Sequence, residues 1–204
     1  MIKTIIFDLG RVIVNVDRSK HFGKFARNSN KPMSFIKEYL ADFSPIVKAF
    51  GKGEIAPRQF YDSVSKELNL KMNFNEFKNA WCDIFTLNKD VANIVEDLKR
   101  NFKLILLSNT DAWHFEYIKN KYKVIDIFDE CVLSYKIGYM KPHPLIFLEA
   151  LKKAKALPFN CIYFDDIPEF VYVARLMGIR AFQYKNYGKL IDDLNRISIS
   201  TKTL

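Results

Sequence analysis

The chain is poor in the residues that build covalent or metal-bound scaffolds. Its 204 residues include three cysteines and three histidines. Cys82, Cys131 and Cys161 lie far apart in apolar contexts. They form no metal-type pair, and their odd number suits a reducing compartment. Glycine and proline are scarce, seven of each, and no internal repeat, long linker or low-complexity tract occurs. No segment reaches the ~20 apolar residues of a membrane span. The apolar stretch near the N-terminus is interrupted at Asp8, so the long apolar region of a signal peptide is missing. A soluble cytoplasmic protein with no membrane partner is expected. Arginine-rich runs are also absent. The net charge of +9 comes from lysines scattered among acidic neighbours, which reads as a solvated surface. No nucleic-acid partner is expected.

What is present is an ordinary globular composition, 49% hydrophobic and 27% charged. Short β-branched or aromatic runs recur: "TIIFD" (4–8), "KLILLS" (103–108), "CIYFDD" (161–166), "IRAFQY" (179–184) and, more weakly, "ECVLS" (130–134). Several are continuously apolar, as in strands of a parallel sheet covered on both faces. From residue 88 onward helical patterns separate them. Asn88 can cap a helix carrying Val91, Ile94, Val95 and Leu98 on one stripe. Pro144 and Pro168 open two more, and Gly178 closes the second. Strand alternating with helix predicts a doubly wound α/β sheet.

Residues 16 to 87 break this rhythm, and no convincing strand stands out there. Phe60, Val64 and Leu68 share one helical face. Phe74, Phe77, Trp81, Ile84 and Phe85 share another, behind a capping box at Asn73 and Glu76. These patterns predict a helical insertion at the carboxyl ends of the strands, where α/β sheets bind ligands.

The polar residues with chemical potential sit at strand ends. Asp8 ends the first run, Ser108 the second, and Asp165 and Asp166 the "CIYFDD" run; Lys141 precedes a helix in "GYMKPHP". In a parallel sheet all of them point to one edge. Three converging carboxylates need a cation. Lys141 supplies one charge, and a hard ion such as Mg²⁺ supplies two and prefers oxygen. Asp8 is therefore expected to pair with a metal. Ser108-Asn109-Thr110 running into a helix offers a hydroxyl and free N–H groups suited to phosphate. His114 and His143 read as turn or surface residues, and nothing in the sequence places His21 at the site.

Together these stretches resemble the haloacid dehalogenase-like hydrolase superfamily. "FDLGRVIV", "LLSNT", Lys141 in "GYMKP" and "YFDDIPE" stand in the order of its four motifs. They are closest to the branch of sugar-phosphate phosphatases and the phosphatase domain of soluble epoxide hydrolases. The resemblance implies a Rossmann-like core of residues 1–15 and 88–204, with a helical cap at 16–87. It also implies Mg²⁺ and an aspartyl-phosphate intermediate, with a small phosphorylated metabolite as substrate. Asp8 would be nucleophile and metal ligand, with the Gly10 carbonyl, Asp166 and, as an auxiliary or as a partner of Lys141, Asp165. Ser108 and Asn109 would bind phosphate, and Lys141 would neutralise it and orient Asp8.

One position departs from the family. Most phosphatases of the superfamily carry a second Asp where this chain has Gly10. Three readings follow: esters with acidic leaving groups, proton transfer by Asp17, His21 or water, or vestigial turnover. The rival functions are a 2-haloacid dehalogenase and a phosphate-binding regulatory protein.

Overall fold

The computed structural model describes residues 1–200. The last four residues of the expected core, 201–204, lie outside the described residues. The chain opens with β1 (Thr4–Phe7) and β2 (Val14–Val16). Five helices follow: α1 (Ser19–Arg27), α2 (Met33–Tyr39), α3 (Pro45–Gly51), α4 (Pro57–Glu67) and α5 (Phe74–Cys82). Next come β3 (Phe85–Leu87), α6 (Lys89–Lys99), β4 (Lys103–Ser108), α7 (Ala112–Lys121) and β5 (Glu130–Leu133). The chain continues through α8 (Ser134–Ile137), α9 (Pro144–Ala154), β6 (Cys161–Asp165), α10 (Pro168–Leu176), β7 (Arg180–Gln183) and α11 (Tyr187–Arg196).

Five strands form one sheet in the order β5-β4-β1-β6-β7, and every neighbouring pair is parallel. The apolar runs are continuous because both faces are covered. Ile5, Phe7, Leu104, Leu106, Ile162 and Phe164 face the cluster built with α6, α7 and α11. Their alternating neighbours Ile6, Ile105, Leu107, Cys161 and Tyr163 face α9 and α10. This period of two is the pleat of a strand buried on both sides. Ile5, Ile6 and Phe7 are wholly buried, each contributing about 1.5–3 kcal/mol on burial.

Local signals behave as predicted. Asn88 accepts from the Val91 N–H at the start of α6. Asn73 and Glu76 form the capping box of α5. Gly178 takes φ +81° after α10.

The region 16–87 corrects one expectation. It contains β3, which pairs antiparallel with β2. Each of these strands is three residues long with one polar residue, Asn15 or Thr86, between apolar ones, so neither makes a visible run alone. The five helices between them share a cluster of Phe25, Ile36, Phe50, Phe60, Phe77 and Trp81, joined by Trp113 of α7. Ser134 ties this layer to the sheet: its hydroxyl donates to the Gly51 carbonyl at 2.6 Å and accepts from the Thr110 N–H at 2.9 Å. Gly53, at φ +72°, lies so close to the Tyr135 carbonyl that a Cβ would clash. Among the described residues, no helix is long and apolar enough to cross a membrane.

Candidate active site

β1 lies at the centre of the sheet, with β4 on one side and β6 on the other. The chain reverses its order of winding here, which opens a crevice at the carboxyl edge. Asp8 follows β1, Ser108 ends β4, and Asp165 ends β6. One carboxylate oxygen from each of Asp8, Asp165 and Asp166 lies within 4.8 Å of the others.

Lys141 stands among them, 2% exposed. Its ammonium donates to Asp8 Oδ1 at 2.7 Å, Asp165 Oδ2 at 2.6 Å and the Leu107 carbonyl at 3.2 Å. An ammonium has three hydrogens, and each has an acceptor. The ring of Phe170 lies 5.1 Å from the same nitrogen. The main chain of Lys141 is held as firmly. Asn109 Oδ1 accepts from its N–H at 2.7 Å, and Asn109 Nδ2 donates to its carbonyl at 2.9 Å. Two strand-end motifs and a turn more than 130 residues from Asp8 are thus locked together.

Three of the expected site residues take more specific places than the sequence could give them. Asp8 finds a lysine partner. Asn109 spends its side-chain amide on Lys141, leaving its main-chain N–H as the group it can offer. Asp165 is fully engaged: Oδ2 accepts from Lys141 and from the Tyr163 hydroxyl, and Oδ1 accepts from the Ile167 N–H at 2.8 Å. Asp166 is half-buried and meets Arg11 Nη1 at 3.3 Å. Ser108 is buried and lines the cavity beside Asp8 and Gly10.

The electrostatics are those of a pocket short of positive charge. Burial pushes the Asp8 carboxyl up to about 7 against the pull of Lys141, with Asp165 and Asp166 adding to the rise. Burial raises Asp166 as well, partly countered by Arg11. Burial would lower Lys141, but Asp165 and Asp8 hold it above its ordinary value. The ammonium stays charged, and the excess negative charge falls on Asp8 and Asp166.

The turn after Asp8 is tight. Leu9 accepts from the N–H groups of Ile13 and Val14, and Arg11 donates to Val14 at 2.6 Å. Arg11 sits at φ +60°, a left-handed conformation that a non-glycine residue adopts at a cost. It also reaches Asp42 at 3.8 Å, and Asp42 pairs with Arg18.

The cavity encloses about 140 Å³, roughly ten water-sized positions. The strand edge forms one part of its lining. Residues of the helical region, among them Arg18, His21, Asp42, Phe43 and Trp81, form another. Arg18 and Asp42 stand in no recognisable sequence pattern, because their pairing crosses loops. His21 lines the cavity, although the sequence could not put it there. Asp17 does not: its carboxylate accepts from Ser19. His143 caps α9 by accepting from Leu145, in keeping with a turn residue. His114 is a packed structural residue, bonded to Asp111 at 2.9 Å and to the Trp81 carbonyl at 3.0 Å.

Comparison with known proteins agrees with this arrangement. The chain is 27% identical over 202 residues to D-ribitol-5-phosphate phosphatase of Bacteroides thetaiotaomicron, covering 91% of this chain and 93% of the relative. A HAD family enzyme of the same organism, solved with magnesium and inorganic phosphate, superposes with a TM-score of 0.82. It is 25% identical, over 93% of this chain and 99% of its own. A predicted HAD-like family hydrolase of Porphyromonas gingivalis shares the fold, with TM-score 0.84 at 21% identity over 98% and 100% of the two chains. The profile of the haloacid dehalogenase-like hydrolases matches residues 2–169. That span runs from before β1 into α10 and takes in every residue of the carboxylate–lysine cluster, so the chain belongs to the haloacid dehalogenase-like hydrolase family.

Proposed function

We propose that the chain is a magnesium-dependent phosphomonoester hydrolase acting on small phosphorylated metabolites. One observation carries this reading: Lys141 is fixed between Asp8 and Asp165, with Asp166 beside them, at the edge where β4 ends in Ser108. A relative named as a sugar-alcohol phosphatase and another solved with magnesium and phosphate support it. The donor set fits Mg²⁺, since it is all oxygen and carries more negative charge than Lys141 cancels. Asp8, Asp166 and the Gly10 carbonyl would hold the ion. Asp165, with both oxygens engaged, acts behind them by positioning Lys141. When bound, Mg²⁺ would offset charge on the transferring phosphoryl group.

In the first step Asp8 attacks phosphorus and the ester oxygen leaves with the bonding pair, giving an aspartyl phosphate. Lys141 keeps Asp8 aimed and lends its charge. Ser108 and the Asn109 N–H take phosphoryl oxygens. Water then splits the acyl phosphate and restores Asp8. The leaving oxygen has no carboxylate at position 10 to protonate it. Asp17 is turned onto Ser19, and burial holds His21 neutral, with a pKa of about 3. Water is left as the proton source, which favours esters with acidic leaving groups. Residues 16–87 form the cap that closes the cavity and selects the organic part of the substrate. A 2-haloacid dehalogenase would give Asp166 no task.

The test is phosphate release from p-nitrophenyl phosphate. It should require Mg²⁺, stop with EDTA, and vanish in Asp8→Asn. Turnover surviving Asp8→Asn would falsify the nucleophile assignment, and chloride release from L-2-chloropropionate in EDTA would point to the dehalogenase instead.

A further inference from the structure

The two helical layers on the sheet differ in what they show to solvent. Ten large apolar side chains are exposed among the described residues. Six of them, Leu145, Leu148, Leu157, Phe159, Tyr172 and Leu176, lie between the start of α9 and the end of α10, each 40–69% exposed. None of the ten lies on α6, α7 or α11, which cover the opposite face. The six share one side of the molecule. α9 and α10 pack against each other and bury their inner faces in the same cluster. Leu145 and Leu148 stand on the outer stripe of α9, and Tyr172 and Leu176 on that of α10. Leu157 and Phe159 belong to the loop between α9 and β6, whose Pro158 lies against Gly178, two residues past α10.

Single exposed apolar residues need no explanation, but a gathered patch does. Six such side chains present roughly 600 Å². A standard interface takes ~800 Å² from each partner, and a polar rim makes up the difference. The rim also indicates the partner. Glu169 stands in the first turn of α10 and Arg175 in the last, three residues either side of Tyr172. Viewed down the helix they flank Tyr172 by about 60° on each side. Neither is ion-paired among the described residues, and Arg175 donates through Nε to the Ala181 carbonyl at 2.8 Å. A two-fold axis through Tyr172 would set α10 antiparallel to the α10 of another copy. Each Glu169 would then meet the other copy's Arg175. A membrane surface would call for a rim of basic residues alone. This rim carries both signs and complements itself.

We propose that the outer face of α9 and α10 docks a second copy of this chain. The dimer is two-fold, with Tyr172 and Leu176 at its centre and Glu169–Arg175 pairs at its edges. The inner face of α10, with Phe170, lines the cavity and is not part of the interface. Each copy therefore keeps its own site.

The experiment is sedimentation velocity of the full chain at tens of micromolar. It should show a species of twice the monomer mass that dissociates on dilution. Leu176→Glu and Tyr172→Glu, at positions 69% and 61% exposed, should keep the wild-type circular dichroism. Each should raise the dimer Kd at least ~30-fold, the loss typical of an interface centre. Glu169→Arg and Arg175→Glu should each weaken the dimer, and the double variant should recover it. A double variant no better than either single one overturns the two-fold arrangement. A dimer that neither Leu176→Glu nor Tyr172→Glu weakens overturns the proposal, and so does a wild type that stays monomeric. If that monomer floats with phosphatidylglycerol vesicles and Leu176→Glu does not, the face belongs to a membrane instead.

Discussion

Acid should loosen this protein through His21, by an amount that can be worked out. The imidazole is driven from its ordinary 6.5 down to about 3, first by burial and then by His114 and Arg18, with only Asp17 opposing. Above pH 6.5 both the folded and unfolded states are neutral at this residue. Below it the unfolded chain takes up a proton and the folded chain does not, so stability falls with pH until the folded value is reached. Between pH 7.5 and 5.0 the loss from this one residue is about 2 kcal/mol, 1.5 pH units at 1.36 kcal/mol each. His21→Phe removes the titration and should lose that much less over the same interval. Urea unfolding at the two pH values, in wild type and variant, isolates the term as a double difference. Tryptophan fluorescence is the right probe, because Trp81 and Trp113 both lie in the aromatic cluster of the helical region. A variant that loses as much stability as the wild type between these pH values would refute the reasoning.

Three substitutions test the strand-edge cluster. A Cβ at Gly10 would meet only Val16 Cγ2, at 3.7 Å, so Gly10→Asp should fold. It should speed hydrolysis of alkyl phosphates by ~10²-fold or more while changing p-nitrophenyl phosphate little; a similar change on both esters in steady-state kinetics would argue against an unassisted leaving group. Lys141→Met leaves buried carboxylates without their ammonium and should cost about 3–5 kcal/mol in urea unfolding; a loss under about 1 kcal/mol would mean the ion pairs hold little. Asn109→Ala frees both main-chain groups of Lys141 and should lower kcat by ~10- to 100-fold at saturating Mg²⁺. If the loss appears only in KM for the ester, the amide serves phosphate binding rather than Lys141.

The parts legible in the sequence were those with a local cause. β1, β4 and β6 showed as apolar runs because both faces of each strand are buried, and the carboxylates and serine at their ends followed from the parallel sheet. The capping box of α5 and the Phe60–Val64–Leu68 stripe were equally plain. The illegible parts depend on partners far away in the chain. β2 and β3 are too short to announce themselves. α1 to α3 are short, and none has a side-chain cap bond to mark its start. A strand-end Ser-Asn-Thr suggests phosphate binding, but nothing in it shows that the Asn109 side-chain amide bonds the backbone of a residue 32 positions on. His21 had no periodicity to set it apart from a core histidine, and only the cavity beside it does so.

The charge at the strand edge gives this cluster its character. Lys141 alone cannot neutralise Asp8, Asp165 and Asp166. By donating to Asp8 and Asp165 and resting on the Leu107 carbonyl, it uses all three of its hydrogens. Asp165 is satisfied further by Tyr163 and the Ile167 N–H, and is thereby fixed as a support. Asp8 and Asp166 keep oxygen atoms directed to a space that Arg11 reaches only from its strained turn, 3.3 Å from one of them. An aspartate at position 10 would add a fourth carboxylate to a pocket whose Asp8 is already pushed up to about 7. Glycine there lowers the electrostatic cost of assembling the site. In the proposed reaction it would also leave the departing oxygen without an acid, so breadth of leaving group would be traded for a less repulsive cluster.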